Sequence, residues 1–147
     1  MSDAKPVHVL VGLIGDAQGR WLVNQRRPGT HLAGFWEFPG GKRQAAETPF
    51  AALRRELDEE LGIDVLAAEP WLELEHDYPD KTVRLDVWRV LDYRGEVVAR
   101  EGQALDWVAA AGLATLPLLP ADLPIVAALL RDDESFSRSR AGTGRPG

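Results

Sequence analysis

The chain has 147 residues, no cysteine, and 23 acidic against 17 basic side chains, for a formal net charge of -6. That length fits one domain able to bury its own core, and the missing cysteines exclude disulfides and thiolate metal sites. The negative balance excludes a generic binder of nucleic-acid polymers or anionic membranes, which needs a basic face, although a divalent cation can still bring phosphates to an acidic protein.

Asp3 and Lys5 precede a short apolar run interrupted by His8, and no small-residue cleavage site follows, so no signal peptide is expected. The uncharged stretch between Asp106 and Asp122 is too short and too broken by proline to cross a bilayer, which leaves the cytoplasm as the expected location.

In chain order, residues 7–14 form an almost continuous apolar run, with His8 read as a strand residue of no chemical role. DAQG (16–19) offers turn chemistry before a second run at 21–23, so a buried hairpin ending at Gln25, Arg26 and Arg27 is predicted. RPGTHLAG (27–34) reads as a loop and FWEF (35–38) as a short strand, with Trp36 near a pocket and a sharp bend at Pro39, Gly40 and Gly41. Thr48 and Pro49 supply an N-cap and a first helical residue, and Gly62 a C-terminal cap, which predicts a helix over 49–61. Beyond it, 71–75 and 82–91 alternate around HDYPDK as a second hairpin, 104–108 reads as a strand, and 123–130 begins a final helix. The domain is expected to span 1–131, with a disordered tail over 132–147 that lacks any apolar pattern.

Within the 49–61 helix, Phe50, Leu53, Leu57 and Leu61 share one sector at about 100° per residue. Glu56, Glu59 and Glu60 cluster beside that sector, near the end where the macrodipole disfavours negative charge. Like charges at such spacing cost about 0.2–0.5 kcal/mol per pair. An ordinary solvated face absorbs that cost. A divalent cation such as Mg²⁺, which takes hard oxygen ligands and substrate phosphates, converts it into coordination.

Spacing separates the two readings. Five residues stand between Gly41 and Glu47, and seven between Glu47 and Arg55-Glu56; Leu57, Glu59-Glu60, Gly62 and Ile63 follow. All nine positions match G-x5-E-x7-R-E-U-x-E-E-x-G-U, with U aliphatic. The chain thus resembles the Nudix hydrolases, and FWEFPGGK, NQRRP, YPD at 78–80, REGQ at 100–103 and PADLP at 120–124 resemble their MutT type. The likeness runs from about residue 5 to about residue 130.

The resemblance implies an α/β Nudix fold, an α/β/α sandwich around a mixed sheet, and Mg²⁺-dependent hydrolysis of a nucleoside triphosphate to the monophosphate and pyrophosphate by a monomeric enzyme. Mn²⁺ is an alternative cation. Carried over by position, Glu56, Glu59 and Glu60 are metal ligands with the carbonyl of Gly40, and Glu101 is a further ligand or the general base, a role it contests with Glu56. Arg55 orients the carboxylates, Glu47 braces the loop, and Gly41 and Gly62 are structural. Substrate contacts fall to Arg26, His31, Phe38, Tyr78, Lys81 and Asp122.

The resemblance favours 8-oxo-dGTP as substrate, with CTP or a modified pyrimidine triphosphate as the alternative. MutT-type enzymes read oxidised guanine with an asparagine where this chain has Asp122. An ionised carboxylate only accepts hydrogen bonds, so matching O6 and N7–H requires a protonated Asp122, which burial favours. Ionised, it suits an exocyclic amine such as cytosine N4. A purely structural alternative has Asp122 capping the final helix. A non-catalytic ligand sensor on the same fold is a more distant reading, because no box carboxylate is missing.

Overall fold

The computed structural model of the chain describes residues 6–142. Strand β1 (Val7–Leu13) sits inside a four-stranded sheet with β4 (Gly40–Lys42), β6 (Lys81–Arg94) and β5 (Asp64–Tyr78), in the order β4-β1-β6-β5. β1 runs parallel to β6, and the other pairs are antiparallel. A second sheet joins β3 (Trp36–Glu37), β2 (Arg20–Gln25) and β7 (Leu105–Ala109). Helix α1 (Pro49–Leu61) covers one side, and α2 (Ala110–Leu113) with α3 (Leu123–Gly142) covers the other.

Both faces of the central strands are therefore buried, which explains their unbroken apolar runs. Leu10 and Leu22 pack with Leu53, Leu57 and Leu61 of α1. Val11 and Val23 pack with Leu113 of α2 and Ile125 and Leu129 of α3. The expected α/β/α sandwich with a mixed sheet is what forms.

The first hairpin differs from expectation. The turn closes, since Asp16 accepts from the backbone N–H of Gln18 and Arg20, and Leu22 N–H bonds to the Ile14 carbonyl. The strands then part into different sheets, because both edges of β1 are taken by β4 and β6 and none is left for β2. Residues 35–38 shorten to Trp36–Glu37, as the Phe38 N–H leaves the ladder for the Asp122 carboxylate. The supposed bend at Gly40-Gly41 is itself a strand, with no room for a Cβ at Gly40 against Leu10.

The second hairpin is longer than expected, running from Asp64 to Arg94. Register shifts around Ala67 and between Pro70 and Leu72 accommodate the proline. The final helix continues to Gly142, so the tail expected to be disordered from 132 begins as helix. No proline interrupts the sequence between Pro124 and that glycine, and intrinsic propensity tolerates its polar residues. The last residues of the expected tail, 143–147, lie outside the described residues.

Candidate active site

The box folds as a loop, a helix and a loop. Thr48 Oγ1 accepts from the Ala51 N–H at 3.1 Å, Pro49 opens α1, and Gly62 closes it in the left-handed conformation. The arginine at its middle ties the element together. Arg55 grips Glu47 with Nε and Nη2 at 2.6 and 2.9 Å, donates through Nη2 to the Lys42 carbonyl, and reaches Glu56 through Nη1 at 3.0 Å. This two-point grip holds the Glu47 carboxyl down to about 2. Gly41 is required by crowding, because a Cβ there would fall inside the Glu56 carboxyl group.

The unfavourable end of α1 is answered by the segment after β6. The N–H groups of Val98 and Arg100 bond to the carbonyls of Leu61 and Glu60, and the Arg100 guanidinium reaches the Asp58 carbonyl at 3.0 Å. Gln103, buried, donates to the Glu60 carbonyl at 3.1 Å and accepts from the Glu101 N–H at 3.0 Å. These bonds satisfy orphan carbonyls at a helix C-terminus and set Glu101 beside Glu60.

A cleft of about 550 Å³ opens between the box and the β5–β6 hairpin, a volume suited to a nucleotide. Glu37, Glu56, Glu60 and Glu101 bring four carboxylates to its lining. Burial, followed by the charges of Glu56, Glu37 and Glu101, pushes the Glu60 carboxyl up to about 9. Burial likewise raises Glu56 and Glu37, against the opposing pull of Arg55 and Arg26. Asn24 Nδ2 donates to Glu37 at 3.2 Å, while its own buried Oδ1 has no partner among the described residues.

Phe38, Tyr78, His31 and Asp122 also line the cleft. His31 meets the Tyr78 ring edge-on at 6.0 Å. Asp122, only 4% exposed, ends a 3-10 turn (Pro120–Asp122) and accepts from the Phe38 N–H at 3.0 Å. That bond takes up the side chain that was read as a possible cap of the final helix. Burial pushes its carboxyl up to about 7, with Glu37 adding to the rise and Phe38 and Arg26 opposing it.

The cleft thus gathers Gly40, Gly41, Glu56, Glu60, Glu101, Arg26, His31, Phe38, Tyr78, Lys81 and Asp122. Glu59 is not among them; its carboxylate is about half exposed and turned to Arg55 at 3.3 Å, on the rim. Arg26 lines the cleft but commits Nε to the His31 carbonyl and Nη1 to Glu37, so it fixes the loop as much as it faces a phosphate. Trp36 lies outside the cleft, packed on the α2–α3 side by the alternation that sends Glu37 inward. Sequence reading missed Glu37, Asn24 and Gln103 as cleft residues. A charge inside the aromatic FWEF run was the available signal for the first.

Among the described residues no three His, Asp or Glu side chains converge tightly enough to enclose an ion. The arrangement is an open edge instead. Two partly buried acids, Glu56 and Glu60, hold raised proton affinity without, among the described residues, a cationic partner equal to their number, since Arg55 divides itself among Glu47, Glu56 and Glu59. Such a donor set fits a hard divalent cation that keeps several waters and shares phosphate oxygens.

Comparison with known proteins agrees. A family model described as NUDIX domain matches residues 10–128. An 8-oxo-dGTP diphosphatase of Haemophilus influenzae is 37% identical over 134 residues, 91% of this chain and 98% of that protein. A CTP pyrophosphohydrolase of Escherichia coli is 36% identical over 126 residues, 86% of this chain and 93% of that one. The crystal structure of a MutT NUDIX hydrolase from Burkholderia pseudomallei matches with a TM-score of 0.76 at 29% identity, covering 84% of this chain and 98% of its own. With the family model spanning most of the length and the box folded around its arginine, the chain belongs to the Nudix hydrolases and to their MutT type.

Proposed function

We propose that the chain hydrolyses nucleoside triphosphates to the monophosphate and pyrophosphate, and that an oxidised purine nucleotide such as 8-oxo-dGTP is its substrate. The observation that carries the base assignment is Asp122. Enclosed, bonded to the Phe38 N–H and pushed up to about 7, it holds a proton on part of the molecules at neutral pH. In that form it donates to O6 and accepts from the N7–H that oxidation creates. The resemblance to an 8-oxo-dGTP diphosphatase over nearly the whole of both chains supports the same reading.

At the other end of the cleft, Lys42 and Lys81 stand as counter-charges for the phosphates, and Glu56 and Glu60 offer their oxygens to Mg²⁺, or to Mn²⁺ in its place. Such a cation, when bound, neutralises phosphoryl charge and makes water a better acid. Glu101 is the base in this reading, because Glu56 is already engaged by Arg55 and pressed over Gly41. It takes the proton of the attacking water, while Arg55 keeps Glu56 from turning away. Glu59 joins as an outer ligand from the rim.

The second reading, CTP or a 5-modified dCTP, is favoured by the relative that acts as a CTP pyrophosphohydrolase, and it uses the ionised Asp122 as acceptor for the exocyclic amine. Steady-state kcat/KM on a panel of oxidised and normal triphosphates decides between them. The expected result is 8-oxo-dGTP first, with its lead shrinking as pH rises above about 7. A lead of about tenfold or more for CTP or a 5-modified dCTP overturns the purine assignment.

A further inference from the structure

The cleft leaves one polar cluster unused. It lies on the α1 side of the four-stranded sheet, outside the cleft lining, and begins at Asp86 of β6, a buried carboxylate. Asp86 Oδ1 accepts from the indole N–H of Trp88 at 2.8 Å, and Oδ2 lies 3.0 Å from His8 Nε2. The other nitrogen of that ring, Nδ1, accepts from Arg43 Nε at 3.0 Å. Arg43 Nη1 in turn donates to the Glu47 carbonyl at 2.7 Å, and Glu47 is the carboxylate that Arg55 grips.

The donors fix the direction of every bond. A guanidinium only donates, so His8 Nδ1 must present its lone pair, and the single ring proton sits on Nε2 facing Asp86. His8 thus fits here only as the neutral Nε2–H tautomer. The same carboxylate anchors Trp88, whose ring lies 6.2 Å from Phe50, the second residue of α1. One buried acid therefore fixes both ends of the loop that carries the box into its helix. The main chain of Arg43 is pinned as well, through its N–H to the His8 carbonyl at 2.9 Å.

We propose that Asp86, His8 and Arg43 form a positioning relay that sets the 42–48 loop, and through Glu47 and Arg55 the carboxylate edge of α1. These are positioning residues, since none of the three lines the cleft. The inference rests on the reading of that edge as a cation site. Groups that hold a ligating side chain at second hand cost about 10–100-fold in metal affinity or activity when lost.

Mn²⁺ binding to the full chain, followed by electron paramagnetic resonance, tests the relay independently of turnover. His8→Leu removes both bonds, His8→Gln keeps a donor for Asp86 and an acceptor for Arg43, and Arg43→Met cuts the relay at its exposed end. His8→Leu and Arg43→Met are expected to weaken Mn²⁺ binding about tenfold and to lower kcat by a similar factor with KM little changed, and His8→Gln to recover most of both. Should His8→Leu fail to fold, the Arg43→Met and His8→Gln results decide alone. Mn²⁺ affinity and kcat that stay at the wild-type level in Arg43→Met, or a His8→Gln as impaired as Arg43→Met, overturn the relay. Wild-type protein that binds no Mn²⁺ overturns the cation edge itself and the relay with it.

Discussion

Replacing Glu60 by glutamine isolates the electrostatic cost of the carboxylate edge. Glu60 is pushed up to about 9 by burial and by its acidic neighbours, against an ordinary value of 4.5. A carboxyl whose folded value is raised keeps its proton in the native state while the unfolded chain loses it, so stability falls as pH rises from 4.5 towards 9. At about pH 7.5 the difference amounts to about 4 kcal/mol, from 1.36 kcal/mol per unit. Reorganisation and water in an open cleft reduce this to about 2 kcal/mol. Glu60→Gln keeps the shape and the acceptor facing the Gly40 N–H without the charge. In EDTA it is expected to be more stable than wild type by that amount at about pH 7.5, a rise in Tm of about 4–8 °C, and to match wild type near pH 4.5. Adding Mg²⁺ should reverse the order, because only the wild type gains a ligand. Differential scanning calorimetry across pH, with and without Mg²⁺, reads all of this. An offset that is absent at about pH 7.5, or of equal size at low pH, refutes the reasoning.

Two other substitutions probe the two walls of the cleft. Gly41→Ala places a methyl inside the Glu56 carboxyl, so kcat should fall more than about tenfold while thermal unfolding shows a loss of about 1–3 kcal/mol; unchanged kinetics would mean that Glu56 is free to move aside. Asp122→Asn preserves the acceptor for Phe38 N–H and adds a permanent donor, so kcat/KM for 8-oxo-dGTP should become flat between about pH 6 and 8, where the wild type declines as the carboxyl ionises above about 7. A variant that keeps the wild-type pH slope excludes Asp122 as the titrating group.

Local chemistry made α1 legible to the residue. Thr48, Pro49 and Gly62 act on their immediate neighbours, and the box spacing marks the same segment independently. The mixed sandwich followed from the family likeness, and runs buried on both faces agreed with it. The parting of β1 from β2 was not legible, because it depends on β6 and β4 claiming the edges of β1 from far along the chain. Gly40 and Gly41 read as a bend because glycine is ambiguous between a turn and a close approach of backbones, and the structure uses the second. Among the site residues, the box acids were visible through their spacing, whereas Glu37 needed the strand register to show which way it points. His8 was dismissed for a similar reason: its partners Arg43 and Asp86 stand 35 and 78 residues away.

The two sheets beside the cleft are joined here by very little chain. Glu37 belongs to the three-stranded sheet, Gly40 and Gly41 to the four-stranded sheet, and Phe38 and Pro39 alone lie between them. On one side of that crossing the box acids are held by backbone bonds and by Arg55; on the other, Asp122 sits at the end of a short turn and accepts from the Phe38 N–H. On the proposed assignment of roles, selection exchanges the nucleotide a descendant accepts by editing one turn and leaves the box untouched. Relatives with a common fold and different bases are the outcome such a division makes easy to reach.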